Sequence, residues 1–187
     1  MTRAQPSTQP NGKSLTLDEV WAVLDGVADP EIPVVSLREL GILRDVRHGA
    51  QGLEVVITPT YSGCPAMTQM ADDVVAALAS HGVPATVVTQ LAPAWTTDWI
   101  TPAARDKLRA YGIAPPHSAQ AACSGGGHLT PQERVLKFMP RASTQPVVCP
   151  HCGSTHTQES SRFGSTACKA LYKCLSCQEP FDYFKPY

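Results

Sequence analysis

The first regular pattern of the chain begins at residue 16, where apolar positions start to recur at helical spacing. The spacing predicts an amphipathic helix with one face toward a core. Thr16 and Glu19 match a capping box at its start, and Asp29 before Pro30 ends it, because a residue that precedes proline is pushed out of the α region. The apolar positions of this helix are Leu17, Val20, Trp21, Leu24 and Val27.

Three later segments are rich in β-branched and other apolar residues and predict strands. They cover residues 41–46, 53–58 and 85–91. Residues 48–52 carry two glycines, which suits a hairpin loop between the first two strands. We therefore expect the first two strands to pair directly.

Two further helices complete the pattern. Pro65 is well placed in the first turn of one of them, and Gly82 is a typical C-terminal cap at its end. The last helix is predicted from residue 102 to residue 111. The order αββαβ, with this last helix appended, indicates a small α+β domain in which helices pack on a mixed sheet.

Composition divides the chain into four parts. Residues 1–14 are rich in Gln, Pro, Ser and Thr and are expected to form a disordered tail. The α+β domain is predicted over residues 15–113. Pro, Gly, Ser and Ala dominate residues 114–146, which favours a linker. A second module is predicted over residues 147–187.

The charge balance excludes some classes of function. The 187 residues carry a formal net charge of -1, which argues against a nucleic-acid binder that depends on neutralising phosphates. No run of about 18 uncharged apolar residues is present, so no membrane span is expected. The first residues lack the apolar segment of a secretory signal, which makes the cytoplasm the expected location.

Seven cysteines without an export signal favour metal binding or reactive thiols over a disulfide framework. Two Cys-x-x-Cys pairs near the end have a spacing that suits a zinc ribbon, in which each pair turns two thiolates toward one ion. A closed shell of four thiolates leaves no open coordination position, so the predicted zinc is structural. An iron centre or cluster with the same ligands is the alternative. The four predicted ligands are Cys149, Cys152, Cys174 and Cys177.

Cys64 stands apart, at the start of the second predicted helix. The helix dipole and the unpaired amides there predict a lowered thiol pKa and a raised reactivity or metal affinity. The alternative is a buried cysteine without a role. Asp29 and Glu31 either end the first helix in a solvated turn or lie beside Cys64 as hard ligands or proton acceptors. Cys168 is either a small buried residue or an additional ligand, and Cys123, in the predicted linker, receives no role.

Motifs of known catalytic sites are absent from the sequence. It contains no nucleophile elbow, Walker loop, dinucleotide-binding glycine motif or zincin helix, so no catalytic residue is assigned. Trp95 and Trp99 follow the third predicted strand. This aromatic pair either docks a partner or covers the core.

Longer motifs add a resemblance to known families. The first part of the chain resembles the MIP-type iron–sulfur assembly domain of SufT-like proteins, and the ribbon is similar to the C-terminal half of the PaaD (PaaJ) family. The motifs that carry the first resemblance are Asp-Pro-Glu-Ile-Pro at 29–33, Leu-Gly-Ile at 40–42, Ser-Gly-Cys-Pro at 62–65 and residues 93–100. Those that carry the second are residues 163–170 and 179–185, together with the two cysteine pairs.

The resemblance implies an accessory protein of phenylacetyl-CoA epoxidase, a multicomponent oxygenase of aerobic phenylacetate catabolism. That system has a di-iron catalytic subunit and an iron–sulfur reductase subunit. The family is thought to mature or load a metal centre, so the resemblance implies a non-catalytic assembly factor that carries iron or an iron–sulfur cluster transiently, beside the structural zinc. Cys64, Asp29 and Glu31 match the functional positions of the assembly domain. The alternative is a stoichiometric structural or docking subunit without metal transfer.

The same resemblance sets the expected partners. They are other subunits of the epoxidase, including the reductase or the di-iron subunit, whereas neither nucleic acid nor a membrane is expected. An exposed sheet edge would also allow a homodimer.

Overall fold

The computed structural model describes residues 15–50, 52–117 and 146–187. The predictions for the tail, for Cys123 and for most of the linker fall outside these ranges. The first part contains, in chain order, α1 (Leu17–Leu24), β1 (Leu43–Gly49), β2 (Gly52–Ile57), α2 (Met67–Ala79), β3 (Ala85–Thr89), a 3-10 turn (Thr97–Trp99) and α3 (Pro102–Ala110). The second part contains β4 (Ile113–Ala114), β5 (Thr157–Ser161), β6 (Lys169–Cys174) and β7 (Pro180–Phe184).

The first sheet has the order β1-β2-β3. Strand β2 pairs antiparallel with β1 and parallel with β3, so the sheet is mixed. The parallel pair is joined by α2, whose buried stripe of Met70, Val74 and Leu78 packs into the core. The predicted α+β class and its mixed sheet are confirmed.

Helix α1 begins as the sequence predicts. The Thr16 hydroxyl accepts the Glu19 N–H, and the Glu19 carboxylate accepts the Thr16 N–H at 2.8 Å. The reciprocal pair satisfies two backbone donors that the first turn leaves free. Val20 and Leu24 are the fully buried residues of this helix.

Several element boundaries differ from the sequence prediction. Helix α1 ends at Leu24 with Asp25 as its C-cap, so Asp29 and Pro30 do not end it, and β3 ends at Thr89 rather than at residue 91. Strand β1 begins at Leu43 rather than at residue 41, because Gly41 lies in a turn with a φ of +69°. A Cβ at this position would lie 2.5 Å from Trp99 Cβ, so only glycine fits. Helix α2 begins at Met67, and Pro65 lies in the turn before it rather than in its first turn.

The second sheet has the order β4-β7-β6-β5 and forms the ribbon. Strand β4 follows α3 directly and pairs parallel with β7, with Ile113 opposite Asp182 and Ala114 opposite Tyr183. The chain thus contributes the first strand of the ribbon sheet before residue 118, and the other three strands after residue 146. The predicted boundary at residue 113 stays a prediction.

The ribbon packs on the first part through aromatic side chains. Trp95 is 4% exposed, and its ring lies 6.0 Å from Phe184 and 6.3 Å from Tyr187, measured between centroids. The Trp95 indole donates to the Leu40 carbonyl at 3.0 Å, which satisfies its one polar group. Of the two interpretations of the tryptophan pair, the structure therefore favours core covering for Trp95. Among the described residues no helix is long and apolar enough to cross a bilayer.

Candidate functional site

Each Cys-x-x-Cys pair forms a tight turn, called here a knuckle: one holds Cys149 and Cys152, the other Cys174 and Cys177. The four cysteines converge at one end of the ribbon. Their sulfur atoms all lie within 4.8 Å of one another. Cys149 Sγ lies 3.8 Å from Cys177 Sγ, and Cys152 Sγ lies 3.6 Å from Cys174 Sγ. A zinc–sulfur distance of about 2.3 Å in a tetrahedron gives sulfur–sulfur edges of about 3.8 Å. The observed arrangement therefore fits one tetrahedral zinc ion.

The backbone of each knuckle is folded to present its sulfurs. Gly153, after the first pair, and Gln178, after the second, both have a positive φ, of 75° and 68°. The turns bring backbone N–H groups toward the sulfurs, and Cys177 N lies 3.5 Å from Cys174 Sγ. The Cys177 N–H, followed by the Ser176 N–H and the thiols of Cys177 and Cys152, lowers the pKa of Cys174 to about 6. In the same cluster the pKa of Cys177 is raised to about 12, because burial and the neighbouring thiols outweigh the backbone hydrogen bond at Glu179. A thiol that gives up its proton readily is suited to a metal thiolate.

A second cluster lies where the ribbon meets the first part of the chain. A small cavity there is lined by Asp29 and Glu31 from the proline-rich turn, Cys64 from the loop before α2, and Cys168 from the ribbon, along with apolar side chains. Its volume is about 20 Å³. None of the described residues that line it is basic.

The proline-rich turn is held by Asp29. Its Oδ1 accepts the N–H groups of Glu31 at 2.9 Å and Ile32 at 2.8 Å, and its own N–H donates to the Val35 carbonyl. Asp29 is 6% exposed. Burial raises its pKa above the ordinary value of 3.8, and the two N–H donors offset part of that effect. The carboxylate is therefore a buried structural group that also borders the cavity.

Cys64 is half-buried in the loop that leads to α2, and the prediction of a lowered pKa is wrong. Burial raises the pKa of this thiol above 9.0, although the N–H groups of Ala66 and Met67 lower it as the position before a helix leads one to expect. The carboxylates of Glu31 and Asp29 raise it further. Sequence spacing revealed the amides but neither the burial nor the two nearby acids.

Cys168 does not join the four-cysteine cluster. It is 8% exposed and belongs to the hydrophobic core of the first part of the chain. Burial raises its pKa, while the Thr166 hydroxyl, 3.0 Å from its sulfur, lowers it. The next residue, Lys169, is buried and pairs with Asp182 at 3.2 Å, and its positive charge also acts to lower the pKa of Cys168 and of Asp29.

The structure thus brings Asp29, Glu31, Cys64 and Cys168 to one cavity and the other four cysteines to a separate site. Within the described parts of the chain, the four knuckle cysteines are the one group of three or more ligand atoms close enough to share an ion as they stand. Sequence reasoning missed Phe184, which lines the cavity, and Thr166, beside Cys168. Neither carries a local signal, because both acquire their place through packing of the ribbon.

Comparison with known proteins identifies both parts of the chain. Residues 17–90 match the family model described as an iron–sulfur cluster assembly protein. Residues 136–185 match the model described as a PaaD zinc beta ribbon domain. The first match includes Asp29, Glu31 and Cys64, and the second includes Cys168 and the four knuckle cysteines.

A curated relative and two solved structures are also similar. A protein of Escherichia coli (strain K12), named as the D subunit of 1,2-phenylacetyl-CoA epoxidase, is 49% identical over 170 residues, which cover 89% of this chain and 91% of the relative. A crystal structure of a DUF59 domain from Bacillus anthracis is 26% identical, with a TM-score of 0.45 over 49% of this chain and 89% of that one. A conserved hypothetical protein from Thermotoga maritima is 27% identical, with a TM-score of 0.43 over 51% and 96%.

Proposed function

The chain belongs to the PaaD family of 1,2-phenylacetyl-CoA epoxidase subunits, and from this premise we propose that it is an accessory subunit that loads iron or an iron–sulfur centre into the epoxidase. Its role is that of an assembly factor rather than a catalyst. The metal is its cargo, and the recipient is the di-iron subunit or the iron–sulfur reductase subunit of the complex.

The observation that carries the proposal is the grouping of Cys64 with Asp29 and Glu31 at one cavity. A thiolate and carboxylates together suit iron, which accepts both sulfur and oxygen ligands. The half-buried position of Cys64 shields the sulfur from solvent without sealing it, as transfer to a partner requires. The four knuckle cysteines support a different role, because their closed shell leaves no position for exchange.

The test follows iron into the partner subunits in cells whose phenylacetate degradation depends on this chain. We expect Cys64→Ser to lower the iron content of the purified partner subunits to the level found without this chain. Ser62→Ala, an exposed change in the same loop, is the matched control and should leave iron content unchanged. Circular dichroism and zinc analysis establish that both variants are folded. Normal iron content in the Cys64→Ser cells would contradict the proposal.

A stoichiometric docking role is the second candidate, and one observation favours it. Phe163 is 65% exposed at the tip of a ribbon loop, with the Lys185 ammonium 4.5 Å from its ring centre. An exposed aromatic group beside a cation is a common anchor in protein interfaces. If fully iron-loaded partner subunits still need equimolar amounts of this chain for activity, docking is the better account.

The partner set also includes a second copy of the chain. Strands β1 and β3 form the two edges of the first sheet, and pairing along either edge would give a homodimer. Light scattering of the purified chain measures its mass and decides between the monomer and the dimer.

A further inference from the structure

We propose that the open edge of strand β3 is an interaction surface for a second copy of this chain, which pairs with it antiparallel about a twofold axis. The inference rests on the partner set of the proposed function and specifies which surface forms the homodimer. It assigns a role to an element that neither the cavity at Cys64 nor the four-cysteine site uses.

Three of the four sheet edges in the described parts of the chain carry features that hinder pairing with another strand. Strand β1 contains Arg44, Asp45 and Arg47, and its register is irregular after Leu43. Strand β5 contains Glu159 beside a similar irregularity, and β4 is two residues long. Charges, bulges and short length are the usual means by which edge strands avoid association.

Strand β3 has none of these features. Its sequence is Ala-Thr-Val-Val-Thr, its register with β2 is regular, and no residue from 82 to 97 is charged. None of its five residues is buried, whereas the neighbouring strand β2 is mostly buried. Uncharged β-branched residues favour strand pairing. Among the described edges, β3 is therefore the one that is open to a further strand.

The backbone of β3 presents hydrogen-bonding groups on its open side. Gln90 N–H donates to the Ile57 carbonyl of β2 at 2.8 Å. Because the peptide groups of a strand alternate in direction, the N–H and C=O groups of Ala85, Val87 and Thr89 point away from β2. An antiparallel copy centred on Val87 would pair Val87 with itself and Ala85 with Thr89, each pair joined through both backbone groups.

An exposed apolar side chain continues this edge beyond the strand. Leu91 is 58% exposed, two residues after the end of β3. In the register centred on Val87 it lies level with Val83 of the second copy, a half-buried residue that packs on the core. The pairing would therefore remove two apolar side chains per copy from water, in addition to satisfying the open backbone groups.

The lack of charge favours a second copy as the occupant. In a twofold interface the same segment lies on both sides, so any single charge in it would be brought near its own copy. The segment from 82 to 97 has no such charge. Pro84 and Pro93 cannot donate to a ladder, so the pairing ends within this segment. The result is one continuous sheet shared by two copies.

The test uses the full chain loaded with zinc. Sedimentation equilibrium from micromolar to millimolar concentration gives the dissociation constant of the dimer, and amide exchange followed by NMR identifies the paired strand. The variants are Thr89→Pro, which removes one outward N–H, and Leu91→Lys. The matched controls are Thr89→Ala, which keeps that N–H, and Leu17→Lys, which changes an exposed leucine outside the sheet. Circular dichroism establishes that all variants are folded.

We expect wild-type chains to dimerise, with amide exchange at Val87 and Thr89 slowing as the concentration rises. Thr89→Pro and Leu91→Lys should each raise the dissociation constant about tenfold or more, since every change occurs twice in a twofold interface, and both controls should leave it unchanged.

A wild-type chain that stays monomeric throughout would overturn the proposal, as would equal dissociation constants for wild type and both variants. Exchange at Val87 and Thr89 that slows only when a purified epoxidase subunit is added would also overturn it, because that result assigns the edge to the subunit. The iron content of partner subunits in Cys64→Ser cells tests the proposed function separately from all these outcomes.

Discussion

The two oxygens of the Asp29 carboxylate have different surroundings. Oδ1 holds the proline-rich turn through two backbone N–H groups, and Oδ2 faces no hydrogen-bond donor among the described residues. Substitution of this side chain can therefore separate the acceptor oxygen that holds the turn from the negative charge of the carboxylate.

We predict that Asp29→Ala destabilises the fold by about 2–3 kcal/mol, because it leaves two backbone donors without their partner in a buried turn. Asp29→Asn retains an acceptor oxygen and should change the free energy of unfolding by less than about 1 kcal/mol. Urea unfolding of the metal-free protein measures both. Equal losses for the two variants would show that the negative charge, rather than the acceptor, holds the turn.

At the scale of elements, α3 is joined to the segment before β1 by one ion pair. The Lys107 ammonium lies 2.7 Å from Glu39 Oε1, and the Glu39 N–H and carboxylate also pair with Ser36. Burial would raise the pKa of Glu39, but Lys107 and the Ser36 N–H outweigh it and lower the pKa below 4.5. The lowered value means that the folded state prefers the charged carboxylate.

The contribution of the Glu39–Lys107 ion pair to the free energy of unfolding depends on pH. Stability from the Glu39 pair is fully present above the unfolded pKa of about 4.5 and is lost as the pH falls through the lower folded value. Glu39→Gln should therefore cost about 0.2–1 kcal/mol at pH 7 and less at pH 3, since both groups are partly exposed. Thermal unfolding at the two pH values checks this. A cost that grows as the pH falls would contradict the assignment.

At the scale of the whole molecule, the ribbon and the first part of the chain share a core. Phe184 and Cys168 of the ribbon belong to the same buried cluster as Leu24 of α1 and Leu78 of α2. Phe184 and Tyr187 of the ribbon cover Trp95 of the first part, so a metal that stabilises the ribbon would also keep this surface covered.

We predict that removal of zinc by a chelator shifts tryptophan emission to longer wavelength as Trp95 becomes exposed to water. In Trp95→Phe the remaining Trp21 and Trp99 should show little of that shift. Fluorescence, recorded with parallel zinc analysis, measures the effect. An unchanged spectrum in wild-type protein that has lost its zinc would mean that the ribbon stays docked without metal.

The sequence predicted the features that form between residues close together in the chain, but not those that depend on packing of distant segments. The capping box of Thr16, the two Cys-x-x-Cys pairs and the pairing of the first two strands depend on residues close together in the chain, and they were predicted. The cavity is lined by Cys64 and Cys168, which are distant in sequence and come to the same cavity through docking of the ribbon. The raised pKa of Cys64 was missed for the same reason, since burial by distant residues outweighs the local amides.

The parallel pairing of β4 with β7 limits how the ribbon can be exchanged between members of this family. Because Ile113 and Ala114 directly follow α3, a ribbon excised from residue 147 onward would leave one side of β7 as an open edge, prone to aggregation. An exchange of ribbons between relatives must therefore carry this two-residue strand with it or supply an equivalent. A ribbon that begins at residue 147 contains all four cysteines of the candidate metal site but lacks the edge strand β4.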